Sequence, residues 1–268
     1  PRLSRTSDGY ARAIRPIRPT WVAHACPAQP VESVVAFLWP CPIMLGTTER
    51  GGHVRGDIIL VGEEHRRAAS IIIDHLIDDI RATPRRFTIT VAGESGSGKS
   101  ETGQALADEL ETRGVHALVL QQDDYYVLPP QFNDAARRAN FAWVGTTEVK
   151  IDLLDAHLKA AQEGASGITK PLVIYDDNTI VEETLSYDGA EVVIAEGVYT
   201  SLCEHVDRRV FIARNRLETM DHRMKRGREE FDPFIEKVLV EEHEIITQHR
   251  QKADVIITRD YDVEFVAK

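Results

Sequence analysis

The chain of 268 residues contains only three cysteines, Cys26, Cys41 and Cys203, and none of them belongs to a C-x-x-C pair. Three thiols cannot form a closed set of disulfides, and no zinc-ligand spacing is present in the sequence. We therefore expect unpaired thiols in a reducing cytoplasm. A continuous apolar run of about 18 residues is also missing, so the sequence predicts no transmembrane helix.

Basic residues are in the minority, because 32 Lys and Arg face 43 Asp and Glu, which gives a net charge of −11. Such a chain is a poor general ligand of nucleic-acid backbones or anionic membranes, so we expect neither as a partner. The hydrophobic fraction of 43% is ordinary for a globular protein. The length suits one α/β domain with or without a tail. The sequence does not fix the oligomeric state and leaves a homo-oligomer open.

The first 43 residues differ in composition from the rest of the chain. They hold seven of the chain's twelve prolines, and five arginines against two carboxylates. Proline disfavours the interiors of helices and sheets. We interpret residues 1–43 as a poorly ordered or non-native leader, with Met44 as a candidate natural start, and residues 44–268 as a single domain.

From residue 57 onward, short apolar segments alternate with segments of helical periodicity. Strands are expected at 57–61, 87–92, 115–120, 171–175, 191–195, 209–213 and 254–258. Helices are expected at 63–82, 99–113, 150–163, 199–205, 216–229 and 232–250. This alternation predicts an α/β fold, a doubly wound parallel sheet with helices on both faces. Ligands of such sheets lie beyond the carboxyl ends of the strands.

Residues 93–100 read GESGSGKS and match the phosphate-binding pattern G-x-x-x-x-G-K-[ST]. Glycines let such a loop bring its amides close to an anion, and the helix that follows adds a positive N-terminus. In this pattern Lys99 reaches the β- and γ-phosphates, and the Ser100 hydroxyl binds Mg²⁺. The sheet is therefore predicted to be of the P-loop nucleoside triphosphate hydrolase type. The predicted nucleotide-binding residues are Gly93, Ser95, Gly96, Ser97, Gly98, Lys99, Ser100 and Glu101.

Some members of this loop have plainer interpretations. Glu94 and Ser95 are expected to be exposed loop residues, and Glu101 is better explained as a carboxylate favoured by the helix N-terminus than as a catalytic group. The loop alone does not separate kinases from GTPases. A guanine-reading N-K-x-D motif is missing from the sequence, however, and this favours ATP.

The segment QQDDYY (121–126) follows a predicted strand and places two carboxylates where an acceptor would approach. Phosphoryl transfer to an alcohol needs a group that accepts or orients the hydroxyl proton, and Asp123 is our candidate. Asp123 could also face Mg²⁺ through water. Alternatively, Asp123 or Asp124 caps the segment that follows. Tyr126 could stack on a planar substrate or pack against the sheet.

Two further segments carry groups suited to phosphate chemistry. EVVIAEG (191–197) delivers Glu196 at the end of an apolar strand, where an acid usually holds Mg²⁺ or its waters; alternatively, this carboxylate begins the next helix. HRMKRGR (222–228) offers Arg223 and Arg226, whose guanidinium groups could close over the γ-phosphate. Alternatively, this segment is a solvent-exposed helix face whose positive charge is balanced by neighbouring glutamates.

Taken in order, GESGSGKS, QDDYY, AEG, the basic helix and KADVII (252–257) resemble the uridine kinase and phosphoribulokinase family, over about residues 87–258. The resemblance implies ATP- and Mg²⁺-dependent phosphorylation of a hydroxyl on a small metabolite, with an acceptor or lid insertion at about 127–190. It assigns Asp123 as the base, Tyr126 as an aromatic that touches the substrate, and Glu196 as an acid near Mg²⁺.

The acceptor segments depart from the family's pattern. In NFAWVG (140–145), Ala142 stands where uridine kinases tend to carry an acid, and YDDNTIVEE (175–183) lacks the expected arginine. The predicted substrate-side residues are Tyr126, Trp143, Tyr175 and Asp176. A lost polar contact can change selectivity by orders of magnitude, so uridine is not implied. A sugar phosphate, nicotinamide riboside or a pantothenate-like vitamin stays open as the acceptor. The alternative function of a non-catalytic nucleotide-binding regulator also stays open.

Overall fold

The computed structural model describes residues 59–215, 217–218 and 232–267. The predicted leader at 1–43 lies outside the described residues. So do Arg223, Arg226 and all of the helix expected at 216–229 except residues 217–218, which lie in a turn. These expectations stay predictions.

Alternating helices and strands make up the described chain, as the sequence predicts. The α-helices among the described residues are α1 (Glu63–Ala82), α2 (Lys99–Thr112), α3 (Pro130–Ala139), α4 (Ile151–Gln162) and α5 (Pro233–Thr247). The strands are β1 (Phe87–Gly93), β2 (Ala117–Gln121), β3 (Gly167–Ile174), β4 (Thr179–Ser186), β5 (Val192–Glu196), β6 (Arg208–Ile212), β7 (Val255–Ile257) and β8 (Val263–Phe265). Short 3-10 turns lie at Gln122–Tyr125, Phe141–Trp143, Thr146–Glu148, Thr200–Leu202 and Gln248–Lys252. No described helix is both long enough and apolar enough to cross a bilayer.

The main sheet has six strands in the order β2-β5-β1-β6-β7-β8. The pairs among the first five strands are parallel, whereas β8 runs antiparallel to β7 at the edge. Because the parallel strands point the same way, the carboxyl ends of β1, β2, β5 and β6 meet at one edge of the sheet. The residues that follow these strands are therefore brought together.

Both faces of the main sheet are covered by helices, which confirms the predicted α/β fold. Strand residues alternate between two apolar cores. Ile89 and Val91 of β1 pack with the buried residues of α1 and α2, whereas Ala92 and Phe211 join those of α4 and α5 on the other face. Helix α1 lies over α2 because its apolar residues recur at helical spacing, as at Ile72 and Leu76.

The segment 171–175 is a strand, as predicted, but its expected place in the main parallel sheet is wrong, and a second predicted strand is not formed. The strand expected at 171–175 belongs to β3, which pairs antiparallel with β4 in a separate two-stranded hairpin instead of the main sheet. Alternate residues of β4 are exposed, as is typical of a strand with one face in solvent. The strand expected at 57–61 is also wrong where it is described, because residues 59–62 form no strand and Leu60 is largely exposed.

Candidate active site

The glycine-rich loop lies at the carboxyl end of β1, and α2 begins within it at Lys99. Gly96 and Gly98 adopt φ values of 75° and 97°, a left-handed conformation that disfavours other residues. The predicted nucleotide-binding residues therefore form one continuous turn from strand to helix: Gly93, Ser95, Gly96, Ser97, Gly98, Lys99, Ser100 and Glu101. Such a turn aims consecutive amides and a helix N-terminus at the same point, which suits a phosphate group.

The side chains of His65 and Tyr261 pack against this loop at Gly98. The Tyr261 hydroxyl, in the turn between β7 and β8, lies 3.0 Å from Nε2 of His65 on α1 and accepts a hydrogen bond of 2.6 Å from Nη1 of Arg214. A Cβ atom at Gly98 would lie 3.0 Å from His65 Nε2 and 3.1 Å from the Tyr261 oxygen. Glycine is therefore required at residue 98 by packing as well as by backbone conformation.

The expectation that Glu94 is exposed is wrong. Glu94 is buried, and its Oε1 lies 2.6 Å from Nδ1 of His243 on α5. The backbone carbonyl of Glu94 also accepts a hydrogen bond of 3.1 Å from Nζ of Lys99. The loop is thereby fastened to α5, a contact that the pattern of loop residues does not encode.

Glu196 ends β5 beside the loop, as the sequence predicts. Its Oε1 accepts a hydrogen bond of 3.1 Å from Oγ of Ser100. Glu196 is 5% exposed, and burial raises its pKa to about 7, although the nearby Lys99 ammonium lowers it. The Ser100 hydroxyl and the Glu196 carboxylate thus place two oxygen ligands side by side next to the phosphate site. This arrangement fits Mg²⁺, which binds few protein oxygens and keeps water and phosphate oxygens as its other ligands. The described residues contain no cluster of three His, Cys, Asp or Glu side chains that would form an all-protein metal cage.

Gly197, next along the chain, packs tightly against the turn that carries Asp123. Its amide donates to the carbonyl of Val91, and a Cβ atom there would lie 2.2 Å from Cβ of Gln122. The Gln122 side chain cannot easily move away, because its Oε1 accepts a hydrogen bond of 2.6 Å from the amide of Tyr199. Glycine at residue 197 therefore lets the ends of β5 and β2 approach each other.

We expect Gly197→Ala to lower the free energy of unfolding by about 1–3 kcal/mol, the usual cost of overpacking a filled site. Urea unfolding followed by circular dichroism measures this change. Gly103→Ala in α2 is the matched control, because a Cβ there would make an ordinary contact of 3.5 Å with Glu196, and alanine favours a helix. A Gly197→Ala protein that unfolds at the same urea concentration as the wild type would contradict the tight packing.

Asp123 lies in the 3-10 turn that follows β2, the strand next to β5. Gln121 is the register partner of Glu196 on the adjacent parallel strand, so Asp123 follows two residues beyond the same edge of the sheet. The side chain is exposed, and its negative charge contributes to the raised pKa values of Glu196 and Tyr126, after the larger effect of burial. The carboxylate is thus accessible and close to the predicted metal site.

Asp124 has a different environment from its neighbour. Its Oδ2 lies 2.6 Å from Nζ of Lys170 on β3, and its Oδ1 accepts a hydrogen bond of 3.1 Å from the amide of Val173. Both charged side chains of this ion pair are buried. Asp124 therefore fastens the β3–β4 hairpin to the turn, whereas the Asp123 side chain is exposed.

The four predicted substrate-side residues differ in burial and in their surroundings. Tyr126 and Tyr175 both experience the charge of Asp123, and burial raises the pKa of each; Tyr175 nevertheless keeps 38% of its surface exposed. Trp143 is half-buried, with Nε1 donating to Oδ1 of Asn133 at 2.8 Å. Asp176 is exposed in the turn between β3 and β4. The assignment of all four to a substrate stays a prediction.

Sequence reasoning missed a charged network next to these residues. Oε2 of the fully buried Glu148 accepts hydrogen bonds from Nε of Arg137 at 2.6 Å and from Nδ2 of Asn133 at 2.7 Å. The other oxygen accepts the amide of Gly145, and Nη2 of Arg137 lies 3.8 Å from Glu242 on α5. These residues lie outside any recognisable motif, and only the fold brings α3, the 145–148 turn and α5 together.

Comparisons with known proteins agree with this geometry. Residues 88–264 match the sequence profile of the "Phosphoribulokinase / Uridine kinase family". The "Bifunctional alpha-galactosidase/sucrose kinase AgaSK" of Mediterraneibacter gnavus is 29% identical in an alignment of length 192 that covers 66% of this chain and 20% of that protein. This chain thus spans about a fifth of the length of that relative. A "Uridine kinase" of Bacillus mycoides is 26% identical over 65% of this chain and 86% of its own length.

A solved structure shows the same fold. The D-glycerate 3-kinase from Cryptococcus neoformans var. grubii superposes with a TM-score of 0.52, covering 76% of this chain and 100% of the other at 13% identity. The profile match extends from β1 to β8 and includes the loop, the Asp123 turn and Glu196. This chain therefore belongs to the phosphoribulokinase/uridine kinase family of P-loop kinases.

Proposed function

We propose that the protein transfers the γ-phosphoryl group of ATP, in the presence of Mg²⁺, to a hydroxyl of a small metabolite. The observation that carries this proposal is the arrangement at the sheet edge. Asp123, whose carboxylate is exposed, follows β2, and Glu196 ends β5, which lies between β2 and β1. Glu196 accepts a hydrogen bond from Ser100 of the phosphate-binding loop that follows β1. Family membership supports kinase chemistry.

The nucleotide's phosphates would be held by the loop. Its amides and the N-terminus of α2 donate to the β- and γ-phosphate oxygens, and the Lys99 ammonium adds a positive charge. Ser100 and Glu196 would hold Mg²⁺, which supplies positive charge that neutralises the phosphate oxygens during transfer. Arg223 and Arg226, which lie outside the described residues, are proposed to add charge at the γ-phosphate.

Asp123 is proposed to orient the acceptor hydroxyl and accept its proton. The acceptor oxygen forms a bond to the γ-phosphorus, and the bond from that phosphorus to the β–γ bridging oxygen breaks, so ADP leaves with the bonding electrons. The products are ADP and a phosphate monoester, and the proton leaves through the Asp123 carboxylate. The chain supplies mainly position and charge, which is sufficient for phosphoryl transfer.

The acceptor is proposed to bind over the Asp123 turn, next to Tyr126, Trp143, Tyr175 and Asp176. Ala142, which replaces an acid of the uridine kinase pattern, is exposed in the 3-10 turn at Phe141–Trp143, so it offers no hydrogen bond from its side chain. Uridine is therefore one acceptor to test among several. The relatives carry names that include uridine and sucrose kinases.

The test is ADP release by the purified full chain, measured with Mg²⁺ and ATP against nucleosides, free sugars, sugar phosphates and vitamins. We expect at least one class to raise ADP release well above the rate without acceptor. ATP binding, measured by calorimetry, is the accompanying control. A protein that binds ATP but responds to no acceptor would be a nucleotide-binding regulator, and the phosphotransferase proposal would be wrong.

A further inference from the structure

Glu242 on α5 is a buried carboxylate that no sequence motif singles out. It is 7% exposed, and Nη2 of Arg137 lies 3.8 Å from its Oε1. Its other oxygen, Oε2, is buried and has no hydrogen-bond donor within reach among the described residues. A buried acceptor without a donor costs free energy, so such an atom calls for an explanation.

Contacts on both sides of Glu242 relate it to the phosphate loop and to the Asp123 turn. The next residue on α5, His243, lies 2.6 Å from Glu94 of the loop. Arg137, 3.8 Å from Glu242, also binds Glu148, whose carbonyl accepts the amide of Val127 just after the turn. Burial raises the pKa of Glu242 to about 7; the positive charges of Arg137 and Lys99 oppose that rise, and the negative charges of Glu148 and Asp123 add to it. Glu242 is therefore close to the group that would hold the phosphates and to the group that would receive the hydroxyl proton.

A second buried polar atom without a partner lies in the same region. The Tyr199 hydroxyl has no hydrogen bond within the described structure. Burial raises its pKa, and the charge of Glu242 is the next largest cause. A carboxylate oxygen can only accept hydrogen bonds, whereas a tyrosine hydroxyl can donate and accept. Neighbouring hydroxyl groups on one ligand would satisfy both atoms.

Among the described residues around the Tyr126 hydroxyl, the charge balance disfavours an anionic ligand. Asp123, Arg137, Glu148 and Glu242 are the charged side chains that bear most on the Tyr126 hydroxyl. Arg137 is the one cation of these four, and its guanidinium already binds Glu148 at 2.6 Å and faces Glu242. A phosphate or carboxylate on the acceptor would meet a surplus of negative charge, whereas an uncharged ligand would not.

The aromatic side chains around Asp123 favour the same kind of ligand. Tyr126 and the partly exposed Tyr175 both lie close enough to Asp123 for its charge to affect them. Aromatic rings offer flat apolar surfaces that pack against the C–H faces of a ring-shaped ligand. Binding sites for small molecules commonly combine such surfaces with a few placed polar groups.

We infer that the acceptor is an uncharged, polyhydroxylated compound whose hydroxyl groups bind Oε2 of Glu242 and the hydroxyl of Tyr199. This inference rests on the proposed phosphotransferase activity and specifies its substrate class. Free sugars and nucleosides both satisfy it, because each carries adjacent hydroxyls without a formal charge. Sugar phosphates and hydroxy acids do not satisfy it.

The experiment compares uncharged acceptors (sucrose, D-fructose and uridine) with anionic ones (D-fructose 6-phosphate and D-glycerate) in the ADP-release assay. We expect one or more uncharged acceptors to be used, and the two anions not to be. Glu242→Gln removes a charge-assisted hydrogen bond, so the KM of that acceptor should rise about 10- to 100-fold while the KM of ATP stays within twofold. Tyr199→Phe should also raise the acceptor KM. Glu244→Gln, on the exposed side of α5, is the control and should change neither constant.

Three results would overturn the inference. If an anionic acceptor has the higher kcat/KM, the substrate class is wrong, although the phosphotransferase activity stands. If Glu242→Gln and Tyr199→Phe melt at the wild-type temperature and leave the acceptor KM unchanged, these residues do not bind the acceptor. If ATP binds but neither group of acceptors stimulates ADP release, the phosphotransferase proposal fails and this inference falls with it.

Discussion

Asp123→Asn is expected to lower kcat for acceptor phosphorylation by about 10²- to 10⁴-fold, the usual contribution of a positioned base. Asparagine has nearly the same shape as aspartate but cannot take the hydroxyl proton. Because the Asp123 side chain is exposed and its charge only adds to the raised pKa of neighbouring groups, the substitution should leave the fold and ATP binding nearly unchanged. Steady-state kinetics with a saturating acceptor and isothermal titration with ATP separate these effects.

Two variants serve as comparisons for this prediction. Asp188→Asn makes the same chemical change at an exposed site that the proposed mechanism does not use, and it should retain wild-type kcat. Lys99→Ala should abolish turnover in a different way, by weakening ATP binding, because the Lys99 ammonium lies in the phosphate loop. The assignment of Asp123 as base would be wrong if Asp123→Asn turned over at the wild-type rate.

The elements around the phosphate loop could be predicted because their sequence signals are local. β1 is a run of apolar and β-branched residues, and the glycines that follow permit the left-handed backbone at Gly96 and Gly98. Glu196 was predictable for the same reason, since it ends an apolar strand whose neighbours in the sheet are also apolar. The parallel order of the strands then brings Glu196 and Asp123 to one edge.

The features that sequence reasoning missed depend on contacts between distant segments. The burial of Glu94 depends on His243, which lies 149 residues away along the chain. Glu242 and Arg137 meet only because α5 and α3 pack on the same side of the site. The sequence predicts the strand at 171–175 as part of the main sheet and predicts no strand at β4, because an apolar segment does not reveal which strand it pairs with.

The neighbouring acids Asp123 and Asp124 also show this limit. The sequence left open which of them caps the turn, since both follow the same strand. The structure separates them by the position of Lys170, whose ammonium lies 2.6 Å from Asp124 and is contributed by the hairpin. A lysine 46 residues away from its partner along the chain carries no local signal of this role.

Lys170→Met is expected to lower the free energy of unfolding by about 3–5 kcal/mol, because it leaves the Asp124 carboxylate buried without its ammonium. Lys170 is 4% exposed, and its Nζ also lies 3.1 Å from Glu183 and donates to the carbonyl of Pro171. Burial already raises the pKa of Asp124 despite the lysine, which shows how costly that charge is in this environment. Urea unfolding monitored by fluorescence measures the loss.

A double variant identifies the source of that loss. Adding Asp124→Asn to Lys170→Met removes both charges and keeps a side-chain oxygen for the amide of Val173, so most of the lost stability should return. Lys159→Met, which breaks only an exposed pair with Glu163, should cost less than about 1 kcal/mol. If the double variant were as unstable as Lys170→Met alone, the burial of an unpaired carboxylate would not explain the effect. If it does recover, the ion pair is what holds the β3–β4 hairpin against the turn, and with it the position of Asp123 beside the phosphate loop.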